Sequence, residues 1–353
     1  MQQVTVKPGT SGQHSSGPDD FGESVGDSSI TQDFLKDEYD FTRFTHNFYD
    51  YEQGQKEILV KGRLKKHLSF WRNIGSSEFV LDVIENGYKI PLYSMPDRKT
   101  YKNNRSALSE PVFVTEAVKD LLDRGLIEKC NESNPPYIIN PLTVSVQTSG
   151  KKRLILDLRE VNKHVWKQKF KYEDIKVALA FLEKEFHMIK FDITSAYHFI
   201  EVVYFQTDLL GFSWVNPDGT VSYYKFLVLP FGLSSASYVF SKVCRPLVNK
   251  WRGEGKMVSM FLDDGFACAE DFEKTKRIGQ EIKSDILQSG FVPNATKCIW
   301  VPVQVLEFLG VILDAQKGNI YIPERRISKS KQLLMDLSSA VREHRRVPVR
   351  KVA

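Results

Sequence analysis

The stretch Met257-Val258-Ser259-Met260-Phe261-Leu262-Asp263-Asp264-Gly265-Phe266-Ala267-Cys268 constrains this chain more than any other. An apolar run ends in two adjacent carboxylates, and a second apolar run follows. Asp264-Gly265 between two β-prone runs predicts a hairpin turning at that pair. Side chains alternate faces along a strand, so one core cannot bury both Asp263 and Asp264. At a hairpin tip both acids lean toward one solvent-accessible cleft. There they repel each other unless a cation neutralises them. Taken alone, the stretch reads equally well as an ordinary acidic turn.

With 353 residues, 42% of them hydrophobic, the chain has room for two or three domains and a real core. Its net charge of +5 is too mild to identify a nucleic-acid binder by itself. Cys130, Cys244, Cys268 and Cys298 are widely spaced, which excludes a paired zinc pattern and a secreted disulfide framework. They read as buried thiols of a reducing compartment. No apolar run reaches membrane-spanning length and the amino terminus is polar. The expectation is an intracellular protein without a membrane partner, cytoplasmic and nuclear residence being equally compatible.

Residues 1–50 are rich in Ser, Gly and acids, without periodicity, and read as a disordered acidic tail. Residues 51–110 read as a helical amino-terminal extension. Leu64, Leu68, Trp71 and Ile74 recur at helical spacing, and Phe79, Val80, Val83 and Ile84 mark a second helix ending at Asn86-Gly87. Residues 88–109 read as a polar connection. A third helix is expected to start at a Thr115 cap and stop at Gly125. Strands over 142–146 and 153–157 should pair across Thr148-Ser149-Gly150-Lys151. A helix over 174–186 should precede a strand over 187–192, and Ser195-Ala196-Tyr197 should start a short helix. A hairpin then joins 210–214 to 221–228, and a helix covers 234–251. After the acidic hairpin come a helix over 271–287 and a hairpin pairing 305–313 with 319–322. Residues 324–353 carry a basic helix with an apolar stripe of Ile327, Leu333, Leu334, Leu337 and Val341, expected to pack on the body of the protein or on a downstream region. This order predicts an α+β fold, an antiparallel sheet of split β-α-β type backed by helices.

In such a sheet the strand ending in Asp192 neighbours the acidic hairpin, so Asp192, Asp263 and Asp264 converge on one edge. Oxygen ligands without nearby His or Cys suit Mg²⁺. Two such ions about 4 Å apart clamp the attacking and leaving oxygens of phosphoryl transfer. Asp192 alone is equally an ordinary helix cap.

Lys190-Phe191-Asp192-Ile193-Thr194-Ser195-Ala196-Tyr197 resembles motif A of reverse transcriptases, and Leu229-Pro230-Phe231-Gly232-Leu233-Ser234-Ser235-Ala236 resembles motif B. Phe261-Leu262-Asp263-Asp264 has the form of motif C. Gly290-Phe291 with Lys297 is similar to motif D, and Leu306-Glu307-Phe308-Leu309-Gly310 to motif E. Arg153 to Lys163 is similar to the fingers motif. The resemblance covers residues 111–322 in the family's order, and six motifs in order are specific where any one is weak. The wording of the fingers, of motif B and of residues 62–91 is most similar to the DIRS and Ngaro group of retrotransposons, which integrate with a tyrosine recombinase.

The resemblance implies fingers and palm over residues 111–323, with the basic helix starting a thumb or connection. It implies metal binding by Asp192, Asp263, Asp264 and the Ile193 carbonyl, with two Mg²⁺ ions, or Mn²⁺ in their place. Arg153 would meet the triphosphate of the incoming nucleotide, and Tyr197 would be the sugar gate against a 2′-hydroxyl. Phe231 and Gly232 would border nucleotide and template, and Lys297 would protonate the leaving pyrophosphate. Leu309-Gly310 would belong to the primer grip. Ser237 departs from the proline that many relatives show after motif B. The implied activity is RNA-directed DNA polymerisation on an RNA or DNA template with primer, using deoxynucleoside triphosphates. Relatives continue into a ribonuclease H region, and no carboxylate set for one is expected here. A decayed element that only grips nucleic acid is opposed by the three intact acids, and a two-metal nuclease by motif B and the Tyr197 register.

Overall fold

The computed structural model describes residues 59–146 and 150–346. The expected acidic tail, the turn residues 147–149 and residues 347–353 lie outside the described residues. In chain order, α1 (Arg63–Lys66) and α2 (Leu68–Asn73) divide what reads in sequence as one helix. The break falls at His67, whose Nδ1 lies 2.7 Å from the Gln288 carbonyl. Then α3 (Glu78–Asn86) starts under a Ser77 side-chain cap and stops at Gly87, as expected. Residues 88–109 are not all connection, because β1 (Lys99–Thr100) and α4 (Arg105–Leu108) form there. The next helix, α5 (Pro111–Asp123), starts earlier than Thr115. Proline suits a first turn, where its missing N–H is an orphan anyway. Thr115 sits inside the helix instead and accepts a hydrogen bond of 3.0 Å from Trp214 Nε1.

Two strands follow that the sequence did not signal, β2 (Ile127–Cys130) and β3 (Ile138–Asn140). The fingers hairpin is β4 (Leu142–Val146) and β5 (Lys152–Leu156). Next come α6 (Arg159–Asn162) and α7 (Ile175–Phe181). The latter ends short of residue 186, because Leu182 turns extended and Glu185 takes a φ of 70°. Then come β6 (His187–Asp192), a 3-10 turn over Ala196–Phe199 and another over Tyr204–Leu210. After β7 (Gly211–Val215) and β8 (Val221–Phe226) comes the long α8 (Ala236–Gly253). The acidic hairpin is β9 (Met257–Phe261) and β10 (Asp264–Ala269), and α9 (Phe272–Gln288) follows under an Asp271 cap. Past β11 (Ile299–Val303), the run 305–313 is not one strand. It folds back at Leu309-Gly310, with φ values of 46° and 78°, into β12 (Val305–Phe308) and β13 (Val311–Asp314). β14 (Asn319–Tyr321) completes that small sheet, and α10 (Glu324–Arg342) closes the described chain.

The central sheet has the order β11-β6-β10-β9 and is antiparallel throughout. A second sheet, β1-β3-β7-β8-β2, pairs β3 in parallel with β1 and β7. In the central sheet the pleat separates two cores. Ile189, Phe191 and Ala267 face the large core, which also holds Trp251, Ile282 and Ile286 from α8 and α9. Met188, Phe266 and Cys268 face a smaller core with Ala178 of α7 and Phe308 and Leu313 of the last sheet. The same alternation puts Lys190 and Asp192 on the Met188 face and Asp264 on the Phe266 face.

The extension belongs to the large core, which runs from Val60 to Phe291. Trp71 is fully buried, with its ring edge-on to Phe291 at 5.8 Å. Its Nε1 donates to Ser289 O and Arg63 Nε donates to Gly290 O, each at 2.9 Å. These bonds occupy carbonyls just past α9, where a helix end needs donors. The stripe on α10 is only partly covered among the described residues: Ile327 and Leu337 are half-buried, while Leu334 and Val341 are 64% and 69% exposed. Replacing Trp71 by Ala removes a large buried side chain and a helix-end donor together. The expected cost is about 3–5 kcal/mol, read by denaturant unfolding. A loss below about 1 kcal/mol, the size of an ordinary surface change, would make the extension peripheral.

Candidate active site

The expected convergence of the acids is present and comes from the pairing of β6 with β10. Asp192 and Asp264 are direct partners in that ladder. Leu262, at φ 54°, and Asp263 form the hairpin tip, so the turn lies before the Asp-Gly pair and not at it. Gly265 is inside β10, and the reason is a close approach. A Cβ there would meet the Phe191 ring at 2.0 Å. One more bond ties the two strand ends, Ile193 N donating to Asp263 O at 3.1 Å. On the other side, Asn294 N donates to Asp192 O at 2.8 Å and Thr194 N to Val292 O at 2.9 Å. This brings the motif D loop, and Lys297 with it, against the Asp192 strand end.

Like charges directly opposite each other on a sheet are unfavourable. Burial, followed by the charges of Asp192 and Asp264, pushes Asp263 well above the ordinary carboxylate range. Two lysines offset part of this. Lys297 Nζ lies 3.9 Å from Asp192 Oδ2, and Lys190 Nζ lies 3.6 Å from Asp264 Oδ1. No three His, Cys, Asp or Glu side chains among the described residues are already grouped as metal ligands. The donor chemistry nevertheless fits a hard divalent cation, since the acids supply only oxygen. Cys298 lies alongside, but its thiol is spent on the Asp192 backbone and burial pushes its pKa up. A cation would take the place of the two ammonium groups.

Arg153, Tyr197, Phe231 and Gly232 are each held in place for a local reason. Arg153 is buried on β5, not on a strand surface, and burial pulls its pKa down. Lys151, which the sequence reading passed over, is pulled down by burial and then by the charges of Lys297 and Arg153. Lys151, Arg153 and Lys297 therefore lie close to one another, and Lys297 also pairs with Asp192. The only sequence cue to Lys151 was its place in the fingers hairpin turn. The Tyr197 ring stacks on Phe231 at 4.8 Å and meets Phe240 edge-on at 5.4 Å. Its hydroxyl shares a 2.8 Å hydrogen bond with Ser237 Oγ, and burial raises its pKa. Gly232 has φ 101°, and a Cβ there would meet Leu156 O at 2.7 Å, so the turn itself demands glycine. Asn162 holds that turn, donating to Gly232 O at 2.7 Å and accepting from Ser234 N at 2.9 Å. Leu309-Gly310 forms the β12–β13 turn over the Arg326 guanidinium.

Residues 144–313 match the family model described as reverse transcriptase (RNA-dependent DNA polymerase). The chain is 26% identical over 203 residues to the retrovirus-related Pol polyprotein from transposon opus of Drosophila melanogaster, covering 57% of this chain and 19% of that protein. It is 27% identical over 215 residues to the polyprotein from transposon gypsy of the same fly, covering 60% and 20%. The chain thus spans about a fifth of the length of these curated relatives. Among solved structures, the prototype foamy virus protease-reverse transcriptase shares the fold, with a TM-score of 0.50 at 21% identity, over 67% of this chain and 29% of that one.

The electrostatics of the acidic edge make a stability prediction. The folded pKa of Asp263 lies above its unfolded value. Its stabilising form is therefore the protonated one, present below about pH 4 and lost as pH rises from there through the folded value. Asn mimics that form at every pH. Asp263→Asn is expected to be more stable than wild type at neutral pH in chelator, by denaturant unfolding, the gain vanishing in acid. A variant less stable than wild type at neutral pH would contradict the repulsion.

Proposed function

We propose that this chain is the polymerase portion of a retrotransposon polyprotein, an RNA-directed DNA polymerase that extends a primer 3′-hydroxyl with deoxynucleoside triphosphates and releases pyrophosphate. The observation that carries the reading is the Asp192–Asp264 pair across β6 and β10, with Asp263 at the adjoining tip. Phosphoryl transfer of this kind is positioning plus electrostatic stabilisation, and the residues divide along those lines. Asp192, Asp263, Asp264 and the Ile193 carbonyl would hold two Mg²⁺ ions, Mn²⁺ substituting, which supply charge neutralisation at the attacking and leaving oxygens.

Arg153 and Lys151 hold the triphosphate, the guanidinium fork suiting two phosphate oxygens at once. Lys297 stands beside Asp192, placed to give a proton to the leaving pyrophosphate oxygen. Phe231 and Gly232 border the nucleotide and template, and the face of Tyr197 lies under the deoxyribose. A polymerase must accept any sequence, so its template and primer contacts fall on phosphates and sugars. Exposed Lys329 and Lys331 on α10 suit the duplex exit path. The finer placement in the DIRS and Ngaro group rests on the fingers and motif B wording and on residues 62–91. Intracellular residence is part of the same proposal.

Primer extension on an RNA template with Mg²⁺ is the test. The Asp263→Asn variant should lose about a thousandfold in rate, equivalent to about 4 kcal/mol of transition-state stabilisation, while remaining folded. Near-normal extension by that variant would remove the assignment.

A further inference from the structure

We infer that Ser237 is a positioning residue for sugar discrimination, its hydroxyl holding the Tyr197 phenol at the height that excludes a ribose 2′-hydroxyl. The inference rests on the polymerase reading and deepens it.

Tyr197 has two kinds of support. Phe231 lies against its face, with 24° between the ring planes, and Phe240 meets its edge. Such contacts fix the plane of a ring but tolerate a range of offsets along it. A hydrogen bond is directional and short-ranged, so it sets the remaining coordinate. That bond is the 2.8 Å link between Tyr197 Oη and Ser237 Oγ. Ser237 lies in the first turn of α8, an 18-residue helix with Phe240, Val243, Leu247 and Trp251 buried. The anchor is therefore rigid.

Ser237 also faces Tyr172, whose phenol burial raises and Ser237 lowers. A serine hydroxyl has one donor and two acceptor positions, enough for both tyrosines. The Tyr172 ring packs on Phe261 at 5.3 Å, and Phe261 precedes the Leu262-Asp263 tip. One hydroxyl thus sits between the gate and the catalytic hairpin. Where many members of the resembled family carry proline, this chain has a side chain able to make that bond. Without it the buried Tyr197 hydroxyl is left unsatisfied, which is costly enough to shift the ring.

The test is single-nucleotide incorporation on primer-template with Mg²⁺, comparing kcat/KM for a deoxyribonucleotide and its ribonucleotide. Ser237→Ala and Tyr197→Phe each delete the same bond from opposite ends. Each should lower the deoxy-to-ribo preference about fivefold, the Boltzmann weight of one net hydrogen bond. The double variant should fall no further than either single one, because the pair acts as a unit. Ser237→Thr, which keeps the hydroxyl, should retain the preference. A merely structural role would lower both rates together and leave their ratio alone. An unchanged ratio in Ser237→Ala, with Tyr197→Ala relaxing it, would overturn the inference and leave the gate standing. If Tyr197→Ala also left it unchanged, gate and inference would fall together. Should Ser237→Ala fail to fold, Tyr197→Phe carries the test, and an unchanged ratio there overturns the inference. Wild-type protein extending no primer would overturn the polymerase reading and this inference with it.

Discussion

Two carboxylates face each other across one antiparallel ladder, and the rest of the fold holds them there against their repulsion. The register of β6 with β10, from Asp264 opposite Asp192 to Ala269 opposite His187, is fixed by burial on both faces. A slip of one residue would carry Phe191 and Phe266 to the wrong cores. Gly265 under the Phe191 ring allows the strands to close at the acidic end, and the Ile193–Asp263 hydrogen bond locks the tip. Lys190 and Lys297 lower the cost of the assembled charge. The repulsion that remains would favour a divalent cation at the edge.

Elements far from the acids in sequence set the geometry around them. The extension reaches over the carboxyl end of α9 through Arg63, His67 and Trp71. The chain leaves that end through Phe291 and Val292 to meet Thr194 and then Asp192. Lys297 is therefore placed by a path that begins in α1 and α2. On the fingers side, Asn162 pins the Gly232 turn, and the turn presents Phe231 to Tyr197. Lys297, Gly232 and Tyr197 are thus each fixed by a partner from a different part of the chain.

How much of this the sequence showed depended on the range of the determining interaction. The helix after the acidic hairpin, strand His187–Asp192 and the β4–β5 hairpin are local signals, and all are found as expected. The acidic hairpin was legible too, but its turn was placed at Asp264-Gly265 because that pair is a strong local turn former. The true need for Gly265 is the ring of Phe191 on the neighbouring strand, which no local pattern shows. β2 and β3 are too short for a periodic signal, and Pro135-Pro136 stands between them. Nothing local marked Lys190 or Lys151, because the charges they meet lie on other elements, Asp264 for Lys190 and Lys297 and Arg153 for Lys151. Ser237 was visible as a departure from a motif, while its bond to Tyr197 needed the fold.

In the proposed mechanism Asp192, Asp263 and Asp264 together hold the divalent ions of phosphoryl transfer. Anomalous diffraction from crystals grown with Mn²⁺, primer-template and a non-hydrolysable deoxynucleotide addresses it directly. The expected result is two manganese peaks enclosed by the three carboxylates, with the triphosphate reaching toward Arg153 and Lys151. Ordered nucleotide with no manganese at that edge, or manganese held elsewhere by other ligands, would contradict it.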